Sequence, residues 1–222
     1  MSYSLDNKLK CVLTALVTVS LLLVSCRKES TSLTTDERRT ADSIVRATRG
    51  IDSLALLQQR LEEEGDRLGS IVALREWGKQ LRNESRFEEA LRVHSEGLRQ
   101  AEELGDTLEW VQALNNVGTD YRRMGVLDVA QGYHYRAWTM SEACADTSYT
   151  AKKNRVVSLN GLGNIFMTLG NYERADSALR LALRGEEELQ SDLGLAINYA
   201  NLGSIYEHRR RQTRHGSIIG AR

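Results

Sequence analysis

Four glycines, Gly78, Gly118, Gly163 and Gly203, occupy the same place in a recurring pattern of large apolar residues. Leu74 and Trp77 precede Gly78, and Leu81, Phe87, Ala90 and His94 follow it. The equivalents around Gly118 are Leu114, Val117, Tyr121, Leu127, Ala130 and His134. Around Gly163 they are Leu159, Leu162, Phe166, Tyr172, Ala175 and Leu179. Around Gly203 only Tyr199, Leu202 and Tyr206 remain. Apolar residues three and four apart make one helix face, and a small residue in that face lets a partner helix come close. The block beginning at Phe87, Leu127 or Tyr172 has the same period after a short turn. Two helices per unit at a fixed interval predict an all-α solenoid of antiparallel helix pairs, because one pair cannot bury its apolar face alone.

The stretches "LNNVGTDYRRMGVLDVAQGYHYRA" (114–137) and "LNGLGNIFMTLGNYERADSALRLA" (159–182) resemble the tetratricopeptide repeat (TPR). Residues 71–97 match with Trp77 in the usual Leu place and Gly97 in the final Ala place. The resemblance covers about 70–209 and implies a right-handed solenoid. Repeat packing falls to Gly78, Gly118, Gly163 and Gly203 on the first helices and to Ala90, Ala130 and Ala175 on the second. The interval departs from the family's usual length of about 34: Gly78 to Gly118 is 40 residues, Gly118 to Gly163 is 45, and Gly163 to Gly203 is 40. The chain contains no Pro. Gly105-Asp106-Thr107 and Asp146-Thr147 stand between repeats instead, since Gly ends a helix left-handed and Asp or Thr caps the next one. The extra residues of the third unit are expected around Thr147–Asn154.

Residues 1–26 read as an address. Lys8 and Lys10 precede an uncharged apolar run, Cys11–Val24, which is shorter than the roughly 20 residues of a membrane span. Leu23-Val24-Ser25-Cys26 resembles the bacterial lipoprotein cleavage box. The resemblance implies lipid on Cys26 as first mature residue, and a lipid-anchored, periplasm-facing place in the cell envelope. Arg27 after that Cys points to the outer membrane. A plain signal peptide or an uncleaved anchor, with Cys26 incidental, is the alternative. Residues 27–35 read as a tether, 36–66 as a divergent N-terminal helical hairpin broken at Gly50, and 67–209 as the array of about 3.5 repeats.

Charge and cysteine usage narrow the partners. The chain has 30 basic and 30 acidic residues; without 1–26, which hold Lys8, Lys10 and Asp6, it keeps 28 and 29, a net −1. That balance argues against nucleic acid, which draws a basic domain. Cys144 alone remains after Cys11 and Cys26, so no internal disulfide forms, and it reads as a buried, inert thiol. No catalytic constellation, cofactor motif or metal set stands out, and the chain reads as a non-enzyme. His94 and His134 take a packing place, although a repeated His also suits a metal stripe. The runs at Glu62–Glu64 and Glu186–Glu188 read as solvated faces.

The candidate binding surface is the exposed face of the first helices. It offers Arg75, Lys79 and Arg82, then Asn115, Asn116, Thr119, Arg122 and Arg123, then Asn160, Asn164 and Thr168, and finally Asn201 and Ser204. In TPR proteins such positions hold extended peptides. Asn both donates and accepts, which suits a peptide backbone, and Arg or Lys suits carboxylates. Ordinary surface polarity is the competing reading. A protein or peptide partner and a membrane reached through lipid are therefore expected; the residues leave the oligomeric state open. A second expectation is the truncated sensor region of a longer signalling protein with a histidine-kinase or regulator output. Beyond Arg211 the pattern fails, and 210–222 reads as an irregular tail. A shifted frame through the codons of Gln212–Arg222 allows Ala at 215, Tyr at 219 and Ser at 222, where the repeat places small, aromatic and small residues.

Overall fold

The computed structural model describes residues 33–219, with side chains described over 33–211. Cys26 and the N-terminal address lie outside the described residues. Nine α-helices run through the described part, with no strand there: α1 (Thr35–Ala47), α2 (Ile51–Glu63), α3 (Arg67–Asn83), α4 (Phe87–Leu104), α5 (Thr107–Arg123), α6 (Leu127–Ala143), α7 (Tyr149–Thr168), α8 (Tyr172–Glu188) and α9 (Asp192–Ile219). The all-α repeat solenoid expected from the glycine pattern is the observed fold.

Local chemistry sets the helix limits. Glu88 and Glu89 sit in the first turn of α4, where the helix dipole favours anions. Gly105 ends that helix at φ +77°, a left-handed conformation that favours glycine. Asp106 then caps α5, accepting from Leu108 N at 3.0 Å and Glu109 N at 3.1 Å. Asp66 does the same for α3 through Gly69 N at 2.8 Å. The third junction differs from the expected Asp146-Thr147 cap. Ser148 caps α7 by accepting from Ala151 N at 3.3 Å, and Asp146 accepts from Ser148 N at 2.7 Å. The longer link and a 20-residue α7 absorb the added length.

Packing follows the repeat. The strongest pairings are α3 with α4, α5 with α6 and α7 with α8, and each pair then stacks on the next. At the N-terminus α1 and α2 each pack on α3, and Val45, Leu54, Leu57 and Val72 share one core there. Residues 36–66 thus join the stack mainly through α3 and much less through each other. The odd helices also touch in succession, α1 on α3, α3 on α5, α5 on α7 and α7 on α9; no even-numbered pair packs comparably among the described residues. Crowding on one side only bends a stack toward that side, so the odd helices line its inner face.

Three of the four repeat glycines receive a large residue from the following helix. A Cβ on Gly78 would lie 2.5 Å from the His94 ring, and on Gly163 it would lie 2.6 Å from Leu179 Cγ. Gly118 would meet His134 at 3.0 Å, and Gly161 would meet the other side of the same ring at 2.5 Å. Ala90, Ala130 and Ala175 on the second helices are fully buried. Gly203 is different: a Cβ there meets nothing within 4 Å. It lies on a stripe of α9 in register with buried stripes of α5 and α7. Val111, Leu114 and Gly118 correspond to Val156, Leu159 and Gly163, and then to Ala196, Tyr199 and Gly203. The first two sets are buried, whereas Tyr199 is 57% exposed. The backbone of α9 is helical through Ile219, where an irregular tail from 210 was expected. Cys144 also departs from expectation. It ends α6 and is half-buried, because it sits at the helix end and not on the packed face.

A candidate partner-binding groove on the odd helices

Behind the inner face runs a row of buried polar contacts joining one odd helix to the next. Asn115 on α5 accepts from His134 Nδ1 at 3.0 Å and donates through Nδ2 to Asn154 O at 3.1 Å; Asn154 Nδ2 donates to Leu108 O at 3.0 Å. Asn115 is therefore buried, with both its amide oxygen and its amide nitrogen engaged, and it does not line the groove as expected. Its helix position is the one that meets α6 and α7. The histidines do more than fill space. His94 sets Nδ1 2.5 Å from Asp120 Oδ2 and Nε2 3.2 Å from Arg75 O, and Arg82 pairs with the same Asp120 at 2.8 Å. Burial holds His134 far below the ordinary histidine value, at about 3, with the positive charges of Arg122 and Arg82 adding to the effect. Glu186 corrects the reading of its run as a solvated face. It is buried, accepts from Lys153 Nζ at 3.0 Å through both oxygens, and packs against Gly194.

Two clefts open on the odd-helix side. The larger, about 660 Å³, lies between α1, α3, α5 and α7 and includes Arg75, Lys79 and Asn116. Its charges are largely satisfied. Arg75 reaches Asp42 at 2.6 Å and Glu109 at 3.0 Å, while Arg38 reaches Asp106 at 2.6 Å and also pairs with Glu109. Arg75 is thus a tie between α1, α3 and α5 before it is a ligand group. Lys79 pairs with its own-helix neighbour Glu76 at 3.2 Å and stays exposed. The smaller cleft, about 280 Å³, lies between α5, α7 and α9 and gathers Thr119, Arg122, Asn160 and Asn164. Asn201 is half-buried and donates to Asn164 Oδ1 at 3.4 Å, extending the amide row onto α9. Arg123 is exposed and lines neither cleft. Thr119 donates to Asn115 O at 2.8 Å, which fixes its hydroxyl.

Several groove residues carried no sequence signal. Arg38, Asp42, Glu109 and Lys153 find their partners 33 to 71 positions away, at separations that only the stack of helices defines. Among the described residues no group of three or more His, Cys, Asp or Glu is placed to hold a metal ion. None of the described helices is long and apolar enough to cross a membrane.

No protein-family profile matches the chain, and no curated protein matches it. Solved structures do. The crystal structure of BtubC (BKLC) from P. vanneervenii aligns with a TM-score of 0.61 at 20% identity, over 74% of this chain and 66% of that one. The chain thus spans just under two thirds of that protein's length. At this identity the likeness is one of fold: a helical repeat stacked in a similar way.

Proposed function

We propose that the chain is a non-catalytic tetratricopeptide-repeat scaffold whose odd-helix groove holds an extended peptide or protein partner, and that lipid on Cys26 anchors it in the envelope. One observation carries the binding reading. Thr119, Arg122, Asn160 and Asn164, from two successive odd helices, line one open cleft of about 280 Å³. Polar side chains that converge on a cleft supply the donors and acceptors that an extended backbone needs. The lipoprotein-type box at Leu23–Cys26 supports the anchor.

The test is site-specific photo-crosslinking in cells. A photoreactive residue at Asn160 or Asn164 should give one discrete adduct, and the same residue at Ser177 on α8 should give none. Alanine at Asn116, Thr119, Asn160 and Asn164 together should remove the adduct without changing helix content by circular dichroism. Adducts that form equally from Ser177 would place the binding surface elsewhere. A second reading, the sensor region of a longer signalling protein, is favoured by Tyr199, which is exposed where its counterparts Leu114 and Leu159 are buried against the following helix. Nucleotide sequence downstream of the codon for Arg211 separates the two.

A further inference from the structure

Among the described residues α9 packs mainly on α8, with a smaller contact on α7. On the earlier odd helices the outward face is closed by the following helix: Leu114 shares a core with Ala137, and Leu159 with Ala182. On α9 the same face is open. It is a stripe of Asp192, Ala196, Tyr199, Gly203, Tyr206 and Arg210, each of them exposed. Successive members lie four, three, four, three and four residues apart, the spacing that keeps a stripe on one side of a helix facing a partner helix.

That spacing reads the same from either end, with its midpoint at position 201. Two copies of α9 laid antiparallel about a two-fold axis at that midpoint set Tyr199 opposite Gly203, Ala196 opposite Tyr206 and Asp192 opposite Arg210. Large meets small at every inner step, and opposite charges meet at both ends. A parallel pairing in register stacks Tyr199 on Tyr199 and sets like charges together at each end, which opposes association. Gly203 leaves room for the arrangement. A Cβ there meets nothing within 4 Å, whereas the equivalent glycines of α3 and α7 already receive His94 and Leu179. The Tyr206 hydroxyl is tied to Arg180 and Asp176 on α8, which fixes a side chain that is still exposed. The two tyrosines of each copy supply the apolar area to be buried. Neither α5 nor α7 carries the pattern. Thr107 and Gly125 stand at the end places of α5, and Lys152 and Gly170 at those of α7. We infer that this face of α9 is a dimerisation surface, covered by α9 of a second copy of the chain in the antiparallel register. The stripe shares no residue with either cleft of the groove, so the inference stands apart from the binding reading.

The test measures protein mass per particle for the full chain in detergent micelles, by sedimentation over a dilution series. Wild type should reach two chains per particle and dissociate on dilution. Asp192→Arg alone and Arg210→Asp alone should each raise the dissociation constant at least about tenfold, because the two-fold axis counts each reversed pair twice. The two reversals together should restore the dimer. Gly203→Leu should weaken it as well, yet the dilute variant should melt no lower than wild type, since the new side chain points into open space in its own chain. Differently tagged copies carrying Tyr199→Cys and Gly203→Cys should join through a disulfide that maps to those two positions. A wild-type chain that stays single at every concentration overturns the inference, whether the face is bare or closed by a helix of the same chain. So does a dimer that the single reversals and Gly203→Leu leave untouched, or a disulfide that forms as readily with Ser177→Cys in place of Gly203→Cys. A double reversal that fails to restore the dimer overturns the antiparallel register.

Discussion

Two residue types decide how closely this stack packs. At Gly78 the neighbouring His94 ring is held by Asp120 and by Arg75 O, so it cannot retreat from an added methyl. Gly78→Ala should therefore destabilise, and Gly118→Leu should cost about 1–3 kcal/mol as overpacking. Gly203→Ala meets open space on a helix and should stabilise by up to about 1 kcal/mol, because alanine loses less backbone freedom. Denaturant midpoints of the three variants check the order; a destabilised Gly203→Ala would show that its face is covered. His134 supplies the pH dependence. Its Nδ1 donates to Asn115 while Nε2 is buried without a partner, so the ring is held neutral, with its value lowered to about 3. The unfolded chain regains the ordinary value near 6.5. Between those values the unfolded state binds more protons than the folded one. Stability should thus fall as pH drops below about 6.5, by up to about 1.4 kcal/mol per unit from this group. His134→Leu should flatten that slope in urea titrations at pH 7, 6 and 5; an unchanged slope removes His134 as its source.

At the scale of elements, Asp106 links two roles that the sequence shows singly. It caps α5 and also receives Arg38 from α1, 68 positions earlier. Asp106→Ala should cost about 0.5–2 kcal/mol from the cap alone. It should also speed amide exchange both in the first turn of α5 and along α1. Asp66→Ala caps α3 only and should affect that helix start without loosening α1. Exchange confined to α5 in the first variant would show that Glu109 alone holds Arg38. The junctions also show why one boundary shifted. Gly105-Asp106 was legible as stop and start, but Asp146-Thr147 left the capping to Ser148, because the longer link lets Asp146 turn the chain before the helix begins.

For the whole molecule, the anchor and the extent of the repeat are the open functional questions with direct tests. Labelled fatty acid should appear on the wild-type chain and disappear in Cys26→Ala, which should leave the detergent phase or stay unprocessed. Label retained by that variant sinks the lipid assignment. If the shifted frame beyond Arg211 encodes small, aromatic and small residues at 215, 219 and 222 and then more repeats, the Tyr199 stripe gains its missing helix. An immediate stop in that frame ends the idea.

The sequence by itself determined the solenoid, because its signals are local. Glycines at intervals of 40 and 45, apolar residues three and four apart, and Gly-Asp junctions act within one helix or one turn. It also picked out Gly78, Gly118 and Gly163 and, one helix on, His94, His134 and Leu179 as equivalent packing positions, and the structure brings each such pair together within one hairpin. Tertiary structure alone decided which polar residues face the partner and which are consumed inside. Asn115 and Asn116 are neighbours in sequence, yet one is buried between His134 and Asn154 and the other lines a cleft. Glu186 sits in an acidic run, yet Lys153, 33 positions away, draws it under α9. Charge pairing across a stack depends on which helices meet, and helix faces are set by local periodicity while meetings between repeats are set by packing.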